Sequence, residues 1–338
     1  MTPSPTATGT ATGTGAEPDA EPRPELPGTD GPVVAPTTLT LLREVADVKR
    51  LRDARGPGSL ADRAFTRSWR LLLRDWSPKH VQRLALREVA HALVAARLAG
   101  VDAGVLAQAG LDRDQRLDVL GRAFDAVTAT ARGGFGDLAD LRAALDPDPL
   151  DEALLPAAPP FVDALVRQPR AGATHPDLPR VVVEPPESHG DHCFVTAVYS
   201  ALVAPRFGVG RGTAFLVALA HHLPNGDLPD AGFGGEVLLG EHYLPVLAAL
   251  EERSLRQLPL GLAGYLRDLL PQRETTGTAI GRTFNTADVL DRVLQVHHHA
   301  RAAAFTAAQA LDDLDIVHPG AVQQFQLGVL AGAGIPVR

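Results

Sequence analysis

An all-α protein is the fold class this chain predicts, on three observations. Hydrophobic residues fill 45% of the 338 positions but aromatics only 5%, so a core must come mainly from Leu, Ala and Val. Ala and Leu favour helix. Apolar residues recur at helical spacing in successive segments, while Gly and Pro gather in tails and loops.

In chain order, residues 1–37 are rich in Thr, Pro, Gly and Ala without periodicity, which predicts a disordered tail. Residues 38–145 predict an Arg-rich helical domain. Its first helix carries Leu41, Leu42, Val45 and Val48 and stops at Arg55–Gly58. Ser59 then caps a helix with Asp62 as its capping-box acid. That helix aligns Phe65, Trp69, Leu72 and Trp76. Pro78 opens a third helix through Ala99, and further helices are expected near 104–109 and 115–131. Residues 146–186 read as a Pro-rich linker holding a short helix near 161–166 and a brief extended stretch near 180–184. Residues 187–338 predict helices at 189–203, 213–222, 234–250, 260–269, 286–310 and 321–331.

The formal charge of −8 argues against nucleic acid as a partner. Cys193 is the single cysteine, which excludes an intrachain disulfide and a Cys-based zinc site and fits a reducing cytoplasm. No secretory signal is visible, and no apolar run is long enough to predict a membrane span. Only Lys49 and Lys79 interrupt an otherwise all-Arg set of basic residues. Arg63, Arg67, Arg70 and Arg74 share one helix face, expected to be solvated or paired with acids of the second half.

Three helical segments carry side chains suited to a divalent metal: GDHCFVTAVYSALVA with His192, TAFLVALAHHLPNGDLPD with His221 and His222, and NTADVLDRVLQ with Asp288. The doublet follows His192 by 29–30 residues, and Asp288 follows His222 by 66. In this order and spacing, residues 187–310 resemble the HD superfamily of metal-dependent phosphohydrolases. His221-His222 stands where that family has His-Asp, and Asn225 stands where some members carry a proton-transfer acid. An imidazole offers one lone pair and cannot bridge two ions as a carboxylate does.

The resemblance implies an HD-like helical bundle and one divalent transition metal (Fe, Mn, Co or Zn) on His192, His221, His222 and Asp288. The implied activity is metal-dependent hydrolysis of a phosphorylated small molecule or nucleotide. Asp227 is the expected proton-transfer group, with Asp230 as its neighbour. Arg292 is expected to hold a substrate phosphate, unless it only pairs with Asp288 or Asp291. His189 and His242 are expected to support the site from nearby. A homodimer fits HD-like helices, which often leave apolar surface. The alternative expectation is a non-catalytic HD-like module acting through ligand or protein contacts, because the doublet Asp is lost.

Overall fold

The segment His189–Val203 carries no Lys, Arg or Glu and is apolar over most of its circumference, which suits the middle of a protein. The computed structural model, which describes residues 34–131, 134–175, 178–182 and 184–302, puts it there, with every one of its residues buried. The protein is all-α. Its helices are α1 (Leu39–Ala46), α2 (Leu60–Arg74), α3 (Pro78–Leu98), α4 (Ala103–Gln108), α5 (Arg113–Thr128), α6 (Ala139–Ala143) and α7 (Pro160–Arg167). After these come α8 (His189–Val203), α9 (Arg211–Ala220), α10 (Gly232–Leu239), α11 (Tyr243–Leu255), α12 (Leu260–Leu269) and α13 (Ala279–Arg301). Two short strands, β1 (Ala173–His175) and β2 (Leu178–Val181), pair antiparallel.

Helices α2, α3, α7, α9 and α13 pack around α8. One hydrophobic cluster runs from Leu41 to Leu294 and takes in both expected domains, together with Leu155, Phe161, Val162 and Leu165 of the stretch expected to link them. The described residues fall in one compact unit. Trp69 is fully buried edge-on to Phe161 at 5.0 Å, so this tryptophan of α2 is a core residue. Burial of each Leu, Val or Phe side chain contributes about 1.5–3 kcal/mol.

Several boundaries differ from those expected. The helix expected over 234–250 is two, α10 and α11, because Gly240 adopts φ +53° after Leu239, a left-handed conformation that ends helices. Helix α13 starts at Ala279, capped by Thr278, rather than at 286. The Arg face of α2 pairs close to home. Arg63 meets Asp53 at 2.7 Å, Arg67 meets Glu88 at 2.6 Å, and Arg70 donates to the carbonyl of Pro156 at 2.8 Å. No described helix is long and apolar enough to cross a membrane. The expected tail up to residue 33 and the helix expected at 321–331 lie outside the described residues.

Candidate metal centre

The site begins with two helix caps. Ser188 caps α8 in a capping box with Asp191, and Ser59 caps α2 in one with Asp62. The boxes are cross-bonded: the Ser59 hydroxyl donates to Asp191, and the Ser188 hydroxyl donates to Asp62. Gly190 lets the helices approach, since a Cβ there would stand 2.9 Å from Asp62 Oδ1. This anchoring places His192 in the first turns of α8, fully buried.

His221 follows the last residue of α9 and donates from Nδ1 to the Ala218 carbonyl at 2.6 Å. Its Nε2 faces His192 Nε2 at 3.1 Å. From α13, Asp288 Oδ1 lies 3.3 Å from His192 Nε2, and Asp291 Oδ2 accepts from His192 Nδ1 at 2.7 Å. The partners of the two Nδ1 atoms are acceptors, a carboxylate and a carbonyl, so both Nδ1 atoms carry hydrogen. In the neutral rings the two Nε2 atoms then present lone pairs to each other, and that of His192 also faces Asp288. His192 Nε2 thus has two acceptors beside it, His221 Nε2 at 3.1 Å and Asp288 Oδ1 at 3.3 Å, and a cation placed among them would relieve their mutual repulsion. Two nitrogens on one tetrahedral ion at about 2.0–2.1 Å stand roughly 3.3 Å apart, so the donor set fits a metal.

His222 joins the cluster, and ring nitrogens of His192, His221 and His222 lie within 4.8 Å of one another. Both of its nitrogens are engaged: Arg170 donates to Nε2 at 2.6 Å, and Nδ1 donates to Asn225 Oδ1 at 2.8 Å. His189 packs edge-on to His222 at 4.8 Å. It donates from Nδ1 to the Gln168 carbonyl at 3.1 Å, leaving Nε2 buried without a hydrogen-bond partner, 3.6 Å from Asp230.

Behind His192 lies a second charged layer. Lys49, fully buried, donates to Glu187 and to Asp291, the latter at 2.5 and 2.7 Å. Glu187, His192 and Asp291 have the proximity of a metal set, but the Lys49 ammonium is the cation that two of them already hold. Burial pulls the Lys49 ammonium down, yet Asp291 and Glu187 outweigh it and raise its pKa. Asp291 is lowered against burial by Lys49 and His192, and Asp288 is held well below the usual carboxylate range against burial by His192, His221 and Arg292. Burial drives His221 and His222 well below the ordinary imidazole value, and burial with Arg170 lowers His189 to about 4. These three imidazoles are neutral at pH 7, the state in which they bind metal.

The other expected residues lie as follows. Asp227 pairs with Arg253 at 3.2 Å, whereas Asp230 sits beside His189 and Arg170. Arg292 pairs with Asp288 at 3.0 Å. His242 is 79% exposed on the turn between α10 and α11, near Glu241. Sequence reasoning passed over Lys49, Asp291 and Arg170 as members of this site. A lone lysine among arginines was the one signal that could have pointed to Lys49. No family model, curated protein or solved structure matches the chain.

Proposed function

We propose that this protein is a divergent HD-type hydrolase that holds one divalent transition metal (Fe, Mn, Co or Zn) and acts on a phosphorylated small molecule or nucleotide. The observation that carries the reading is the pair of Nε2 lone pairs of His192 and His221, turned toward each other with their opposite nitrogens already bonded, and Asp288 lying 3.3 Å from that of His192. His192, His221 and Asp288 would hold the ion, a two-His, one-carboxylate set that suits these metals better than Mg or Ca. Such an ion supplies Lewis acidity and brings the pKa of a bound water toward about 7. Asp291 fixes the His192 tautomer, and Lys49 fixes Asp291. Arg292 and Arg170 offer guanidinium groups to phosphate oxygens. His189 Nε2, neutral and unpartnered, is the group able to take up and return a proton, with Asp230 beside it in the part first expected of Asp227.

A specific observation supports the alternative, a non-catalytic HD-like module. His222, at the position of the family's metal-bridging carboxylate, is satisfied by Arg170 and Asn225 without an ion. A proton on His192 Nε2, donated to His221, would then take the place of the metal. Metal analysis of protein purified without chelator or His-tag separates the two. About one Fe, Mn, Co or Zn per chain, lost in His192→Ala and Asp288→Ala, is expected. A wild-type chain that stays metal-free after incubation with each ion would leave the module.

A further inference from the structure

Away from the histidines of the candidate metal centre, Phe194 of α8 lines a separate concavity. A cavity of about 450 Å³, within the range of small-molecule pockets, opens between α2, α3 and the stretch carrying α4. Its apolar lining includes Val48, Leu60, Ala95, Val105, Leu150 and Phe194. Its polar lining is graded. Arg63, Arg67 and Arg87 are about a fifth exposed, whereas the acids Asp102, Asp148 and Glu152 are about half exposed and stand nearer solvent. Glu88 is the buried acid, and Arg67 neutralises it with Nε and Nη2 together.

Two buried nitrogens in this lining make no hydrogen bond. Arg87 Nε is buried and makes no hydrogen bond, its ion-pair contact with Asp146 being 3.5 Å long, while Nη1 stands 4.0 Å from Glu88. His91 Nε2, one helical turn on along α3, is also buried and unpartnered. Buried polar atoms are almost always paired, so two orphans on one face of one cavity mark the place of a missing acceptor. An oxyanion suits both: it takes a charge-assisted bond from Arg87 and another from His91, which burial keeps neutral.

We propose that this cavity binds an organic anion, with its carboxylate or phosphate head on Arg87 and His91 and an apolar ring body against Val48, Val105 and Phe194. The two deepest of these, Val48 and Phe194, are chain neighbours of Lys49 and close to His192, so an occupant touches the backbone that carries the charged layer of the first site. The proposal does not depend on the hydrolase reading.

Calorimetric titration of the full chain in EDTA, with 2-naphthoate, 2-naphthyl phosphate and uncharged 2-naphthol, tests it. At least one of the anions should bind at least tenfold more tightly than naphthol, and which one does so identifies the head group. Arg87→Met, which removes the head-group donor, and Val101→Trp, which narrows the mouth from an exposed rim position, should each weaken binding at least tenfold. Asp288→Ala should leave it unchanged. Naphthol binding as tightly as the anions, no binding of either anion, or binding indifferent to both cavity variants would overturn the proposal. So would loss in Asp288→Ala, which would put the anion at the metal centre instead.

Discussion

Lys49 sits with its ammonium out of water between Glu187 and Asp291, and Asp291 in turn holds His192. Removing one partner from a buried ionic network strands the others. Lys49→Met should therefore destabilise the protein by about 3–5 kcal/mol in urea unfolding. Lys49→Arg should restore little, since a planar guanidinium does not fit the place of a compact ammonium. A loss under about 1 kcal/mol for Lys49→Met would show that the carboxylates repartner without it. None of this was legible beforehand, because the contacts join residues 138 and 242 positions apart. His192, His221 and Asp288 were legible, since each falls at a recognisable offset inside an apolar helix pattern. The engagement of His222 by Arg170 was not, because Arg170 lies in a Pro-rich stretch that carries no periodicity.

At the scale of elements, the cross-bonded caps of α2 and α8 place two carboxyl groups together out of water. Burial, then the neighbouring Asp62, pushes Asp191 up from its ordinary 3.8 to about 8. The folded chain thus keeps a proton that the unfolded chain gives up near pH 4. That contribution to stability is complete below pH 4 and is lost progressively as pH rises to about 8. Asp191→Asn removes the dependence. The melting temperature of the variant relative to wild type should rise between pH 5 and pH 8, by roughly 2–4 °C for each kcal/mol regained. An unchanged or falling difference would mean that Asp191 is ionised throughout. The Ser59 cap was readable from its capping box. Its bond to Asp191 was not, because a local motif does not say which other helix end it will meet. The helix expected near 189–203 is His189–Val203, because its apolar run marks its length; the Ser188–Asp191 capping box that starts it was not read. The break at Gly240 was missed because a single glycine inside an apolar stretch does not reveal its φ angle.

For the whole molecule, the shared cluster from Leu41 to Leu294 has a thermodynamic consequence. Both tryptophans, Trp69 and Trp76, lie on or just after α2, so fluorescence reports the first helices while far-UV circular dichroism reports all of them. The two probes should give coincident unfolding curves. Separated midpoints would restore the two-domain division drawn at residues 146–186. That division rested on a proline-rich stretch, whose Phe161, Val162 and Leu165 in fact face the common interior. The placing of the two lysines also turns the native protein into its own clock. Lys79 is exposed and Lys49 is sealed, so an amine-reactive reagent should acylate Lys79 at once. Acylation of Lys49 should wait until the interior opens, and the rate of that modification, read by mass spectrometry on the peptide that carries Lys49, times the opening.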